Sequence, residues 1–229
     1  MVASNSATQS LLALLQLVSP TLPVGAYTYS EGLETLVQTA QLTDATTLEH
    51  WLTQELDSGA IRLEAAVLLR VYHSAVQQDQ KQVQYWNHWL SAFRETEELR
   101  EQSWQMGRSL RRLLKELHPE SQSLFPEDDA PCNFATAFAI AAVVWRLDPA
   151  TTVLGYLQSW AANLINAGVR LIPLGQTQGQ LLLRRLSLPL EQAVEAILTL
   201  TDEQLDGCSW GVSLASMNHE TLYSRLFRS

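Results

Sequence analysis

Arg94-Glu-Thr-Glu-Glu-Leu-Arg-Glu-Gln-Ser-Trp-Gln-Met-Gly-Arg-Ser-Leu-Arg-Arg-Leu-Leu-Lys-Glu-Leu117 is the stretch that sets the fold class. Leu99, Ser103, Met106, Leu110, Leu113 and Leu117 recur three and four residues apart, which at ~100° per residue predicts a helix with one core-facing stripe. Glu101 falls on the side away from Leu99, and Glu98, Arg108 and Arg112 flank the polar face. Glu95, Glu97, Glu98 and Glu101 fill the first turns, and Arg108, Arg111, Arg112 and Lys115 the last, so the charges complement the helix dipole at both ends. A solvated, charged face accounts for this pattern without any binding role.

Towards the N-terminus the same period continues. Tyr85, Trp86, Trp89 and Phe93 precede this helix, behind a polar piece, Gln77 to Gln84, that suits a loop or a helix end. Ile61, Ala65, Leu68 and Tyr72 share one helical face, as do Leu48, Trp51, Leu52 and Leu56, with Ser58-Gly59 interrupting and Thr43 or Asp44 able to cap. A first helix is predicted from about Ser6 to Val18, with Leu11, Leu12, Leu15 and Val18 inward. A short one should run from a capping Ser30 towards Leu42. Between them, Ser19-Pro-Thr-Leu-Pro-Val-Gly-Ala-Tyr-Thr-Tyr-Ser-Glu-Gly-Leu-Glu34 is not regular helix. Pro20 and Pro23 fix two φ angles and remove two backbone donors. Gly25 is free to take φ > 0, and Tyr27 and Tyr29 supply rings with polar tips. Such a segment is either a plain turn between helices or a rigid aromatic contact surface.

Towards the C-terminus, His118 to Pro131 reads as a loop carrying Glu127, Asp128 and Asp129. Three adjacent acids hint at magnesium, but a solvated loop explains them without a second cluster. Asn133 to Trp145 has almost no polar face and should be the central buried helix. Thr151 to Asn166 follows with Leu154, Leu157, Ala161 and Leu164 inward. Pro173 must then stop or kink the chain, and Gly175 and Gly179 bracket a polar turn that lacks the ending of a phosphate loop. Leu181 to Leu186 resumes helix, and Ser187 should cap another bearing Leu190, Ala193, Val194, Ile197 and Leu200. In the tail, Tyr223, Leu226 and Phe227 stand at i, i+3, i+4, the spacing of a helix-in-groove anchor, with Arg225 and Arg228 at its rim. Residues 217–229 are expected to order on a partner. Together the pattern predicts an all-α chain, a single compact helical-bundle domain over residues 1–229 with about ten helices.

The 229 residues carry 15 Lys+Arg against 24 Asp+Glu, a formal net charge of -9, which argues against nucleic-acid binding because phosphate neutralisation needs a basic surface. Cys132 and Cys208 are too far apart for a metal pair or a disulfide framework, which points to a reducing, cytoplasmic setting. The apolar run Leu11 to Val18 lacks the basic flank of a signal peptide, and Phe134 to Trp145 is too short to span a bilayer. His50, His73, His88, His118 and His219 are scattered, with no zinc spacing, nucleophile elbow or nucleotide fingerprint. Binding of proteins is the expected role, with no catalytic residue and no cofactor.

Four blocks carry a resemblance. Ser19 to Glu34 resembles the opening signature of the UreF family of urease accessory proteins. Arg94 to Gly107 resembles its second, Ile172-Pro-Leu-Gly-Gln-Thr-Gln-Gly-Gln180 its third, and Met217 to Ser229 its fourth, in family order. Two departures are Ala26-Tyr27 where Gly-Phe is common, and Asn218 where Arg precedes His219-Glu220. The resemblance implies an all-helical homodimer that is not an enzyme. It would work with a UreD/UreH-type scaffold and a UreG-type GTPase to deliver nickel to apo-urease. It places partner contacts at Pro23, Gly25, Tyr27, Tyr29, Ser30 and Glu34 in the turn, and at Arg94, Glu95, Glu98, Arg100, Met106 and Gly107 in the helix. Gln176 represents the third block, and His219, Glu220, Tyr223, Arg225, Phe227 and Arg228 the tail. No metal ligand is expected, except that a symmetric dimer could pair two copies of His219. A general helical adaptor unrelated to urease, or a magnesium enzyme using the Glu127-Asp128-Asp129 loop, are the competing classes.

Overall fold

A computed structural model describes residues 7–126, 130–206 and 210–229, so Glu127, Asp128, Asp129 and Cys208 lie outside the described residues. Within them the chain forms eleven α-helices and three 3-10 turns, with no strand. In order these are α1 (Ala7–Leu17), α2 (Leu33–Gln38), α3 (Ala45–Ser58), α4 (Ala60–Val76) and α5 (Gln80–Phe93). Then follow α6 (Glu97–Leu117), α7 (Phe134–Val144), α8 (Pro149–Leu171), α9 (Gln176–Arg185), α10 (Ser187–Thr199) and α11 (Trp210–His219). The 3-10 turns are Ala26–Thr28, Pro119–Leu124 and Asp202–Gln204.

Helix starts follow local chemistry. Asp44 closes a capping box with Thr47, and the side chains of Asp79, Thr96 and Asp148 each accept a backbone N–H of the turn they open. The expected central helix is α7, with Ala135 to Ala142 all buried. Having no polar face, it must be surrounded, and it packs chiefly between α4 and α6. Helix α8 backs this layer, touching α2, α4, α9 and α10, and α11 lies on α2.

Several expectations are corrected. In α1 the buried side is Leu17 with the half-buried Leu14 and Val18, whereas Leu11, Leu12 and Leu15 are exposed. Leu14 and Val18 reach the backbone of α8 at Gly155, where no side chain keeps them out. Helix α6 starts at Glu97 rather than Arg94, and its stripe ends on the fully buried Leu114 while Leu117 is exposed. Leu154 points partly to solvent. Residues 176–180 are not a turn but the first half of α9. A side chain at Gly179 would stand 2.9 Å from Val169 Cγ2, so this glycine lets α9 lie close on α8. Gly32 rather than Ser30 takes the N-cap position of α2, at φ 80, although Ser30 Oγ accepts the Glu34 N–H at 3.4 Å; an added Cβ at Gly32 would lie 2.9 Å from Ala215 Cβ of α11.

Candidate partner-binding site

The proline turn, the first half of α6 and the C-terminal tail meet on one side of the molecule. Gly25 adopts φ 78 as the turn enters the 3-10 segment, leaving Pro23 and Tyr27 exposed. Tyr29 is buried by contrast, and its hydroxyl donates to Gln105 Oε1 of α6 at 2.8 Å. Ser30 receives the chain end: its N–H and Oγ–H both donate to the Ser229 carbonyl, at 2.8 and 2.6 Å. Ser229 Oγ in turn donates to Gln102 Oε1 at 2.6 Å, and the Arg228 N–H donates to the Thr28 carbonyl at 2.9 Å.

Glu34, in the first turn of α2, organises this junction. Its carboxylate accepts the backbone N–H groups of Leu226 at 2.8 Å and Phe227 at 3.0 Å, and Nε2 of His219 lies 3.3 Å away. The other ring nitrogen of His219, Nδ1, is 2.9 Å from Glu98 Oε2, whose second oxygen accepts from Arg225 Nη1 at 2.9 Å. The side chains Glu34, His219, Glu98 and Arg225 thus form one chain of contacts running from buried to exposed. Arg170, the last basic residue of α8, lies over the Phe227 ring at 4.6 Å and donates weakly to the Tyr27 carbonyl.

These positions separate the sequence candidates. Pro23, Tyr27, Glu95, Gln176, Glu220, Tyr223, Arg225 and Arg228 are exposed; Gly25, Glu98 and Arg100 are half-buried. Tyr29, Ser30, Glu34, Arg94, Met106, Gly107, His219 and Phe227 are buried and lie beneath that surface. Arg94, expected among the partner contacts, pairs with Glu64 inside the protein. His219 has no exposed side-chain surface and both nitrogens are engaged. Among the described residues no group of three His, Cys, Asp or Glu could hold a metal ion. Gln176 stands apart, since α9 packs on α3, α8 and α10. Tyr223, Leu226 and Phe227 do not share a helical face: helix ends at His219, Phe227 turns inward, and Tyr223 and Leu226 stay exposed.

Other residues of the site were missed in the sequence. Glu31 lies at φ 53 beneath the turn and accepts from Gln102 Nε2 at 2.9 Å and Trp160 Nε1 at 3.0 Å. Burial raises its carboxyl pKa, opposed by Arg94 and reinforced by Glu64. Burial works against the Arg94 charge, but Glu64 and Glu31 outweigh it and hold Arg94 protonated. Glu64 had a signal, because it sits three residues after Ile61 and four before Leu68, on the buried face of α4. A cleft of about 230 Å³ on the outer side is lined by Glu97, Glu98, Glu101 and Glu220 together with Tyr29 and Arg228.

The fold and site define an all-helical protein whose C-terminal segment is locked onto its own N-terminal turn. Among the described residues no helix is long and apolar enough to cross a membrane. The family model described as UreF matches residues 42–187, and the chain belongs to that family. It is 59% identical to the urease accessory protein UreF of Microcystis aeruginosa over 96% of this chain and 98% of the relative. Identity to the protein of the same name from Trichormus variabilis is 56%, over 95% of each chain, and to that of Synechocystis sp. 52%, over 95% of this chain and 97% of the relative.

Proposed function

We propose that this protein serves urease maturation as a non-catalytic, cytoplasmic adaptor. Working as a homodimer, it bridges a UreD/UreH-type scaffold and a UreG-type GTPase, so that GTP turnover is coupled to nickel insertion into apo-urease. The observation that carries the reading is the meeting of three separate sequence blocks on one surface. Their exposed side chains there are Tyr27, Tyr223, Leu226, Arg225 and Arg228, beside the four-glutamate cleft. Aromatic and arginine side chains are enriched in interface cores, and the cleft suits a partner's basic residues. Segment 217–229 is the partner-facing part: its backbone is tied down through Glu34 while Tyr223 and Leu226 remain free to dock. Relatives carrying the urease accessory name favour this reading over an unrelated helical adaptor.

The test is to mix the purified protein with UreD-like and UreG-like partners and measure the mass of the complex. Tyr223→Ala is expected to weaken scaffold binding by roughly 1–2 kcal/mol, as an aromatic anchor should, with an unchanged melting temperature. No complex with either partner, or normal affinity in a Tyr223→Ala, Arg225→Glu double variant, refutes the proposal.

A further inference from the structure

Beneath the proline turn lies a cavity of about 200 Å³ that the adaptor reading does not use. Its collar is apolar, formed by Leu17, Val18, Leu22, Met106 and Phe134. Its polar wall includes Glu31, Glu64, Arg94 and Arg170, with the Trp160 indole beside them. Arg94 gives Nη2 to Glu64, yet its Nε–H, fully buried, has no acceptor in the protein. Each oxygen of Glu31 accepts one N–H, from Gln102 or Trp160, and keeps a lone pair. A buried donor without a partner beside acceptors with spare capacity is complementary to a group that both accepts and donates.

Charge narrows the choice. The carboxylates Glu31 and Glu64 are matched in number by the guanidiniums of Arg94 and Arg170, so a carboxylate ligand would meet uncompensated repulsion from the acids and an organic cation from the guanidiniums. A neutral group meets neither repulsion. The volume suffices for a ring, since a cavity of about 150 Å³ admits benzene. We infer that this cavity binds a small neutral carboxamide with an apolar body, its carbonyl on Arg94 Nε–H, its amide N–H on Glu31, and its body within the collar. The inference is independent of the urease partners.

The experiment titrates the full chain with benzamide, benzoate and benzamidine, reading the Trp160 indole N–H resonance, identified by its loss in Trp160→Phe. Benzamide is expected to shift that resonance saturably, with the two charged analogues at least about tenfold weaker. Ala162→Phe, which fills the cavity from α8, should abolish the shift while the far-ultraviolet circular dichroism stays helical; Ser159→Leu serves if Ala162→Phe fails to fold. No saturable shift with benzamide, an equal or tighter response to benzoate or benzamidine, or an unchanged response in a folded, filled variant overturns the inference.

Discussion

Replacing Gly107 by alanine should destabilise the protein although alanine is the better helix former. A Cβ built at Gly107, midway along α6, would lie 2.0 Å from the Cys132 carbonyl oxygen and 2.7 Å from the Asn133 carbonyl carbon. A carbon tolerates an oxygen at about 3.3 Å, so the Cys132–Asn133 backbone would have to retreat by roughly 1.3 Å. That backbone is held by a buried network. Asn133 N–H donates to Asn87 Oδ1 at 2.9 Å, its Nδ2 to the Asn87 carbonyl and to Ser91 Oγ at 2.8 Å each, and Ser103 Oγ donates to Asn133 Oδ1 at 3.1 Å. Losing two of these costs about 2 kcal/mol at roughly 1 kcal/mol each. Overpacking adds about 1–3 kcal/mol, and the helix propensity of alanine returns about 1 kcal/mol. The net is a loss of roughly 2–4 kcal/mol, which for a chain of this size lowers the melting temperature by roughly 4–16 °C. Urea unfolding followed by circular dichroism measures it, with Gly211→Ala as the control, since nothing lies within 4 Å of a Cβ there. A Gly107→Ala protein as stable as the parent, or more so, would show that the contact between α6 and the segment before α7 is not tight, and the reasoning would fail.

Glu34→Ala removes the acceptor of two tail amides and one partner of His219, and should cost roughly 1–3 kcal/mol for each buried donor left unsatisfied; hydrogen exchange should then lose protection at Leu226 and Phe227, whereas retained protection would mean the tail is held by Phe227 packing alone. Glu31→Gln tests the buried carboxyl. Its pKa is raised on folding from a usual value of 4.5, so its favourable contribution is complete below that pH and is lost as pH rises through the folded value. The variant should therefore be more stable than the parent at neutral pH and equal to it in mild acid; equal melting temperatures at both pH values would refute the assignment.

Sequence alone determined the helical class, because the 3.6-residue period of α3, α4, α6 and α10 and the all-apolar α7 are properties of local spacing. It also determined where the chain could not be helical: Pro20, Pro23 and Pro173 act through their own rings, and Gly25 takes the positive φ its position allows. The blocks of the candidate site were legible as blocks. Their internal sorting was not. Whether Glu34 or Arg94 meets solvent depends on which distant backbone arrives: Leu226 and Phe227 come to Glu34 from almost two hundred residues away, and Glu64 of α4 meets Arg94 between α5 and α6. For α1, the leucine set that turns inward was decided by the open backbone at Gly155 of α8, which no periodicity within α1 can report. The tail departs furthest from its spacing, since the Glu34 carboxylate takes the amide hydrogens a helix would have used internally and draws Phe227 inward under Arg170 while Tyr223 is left in solvent.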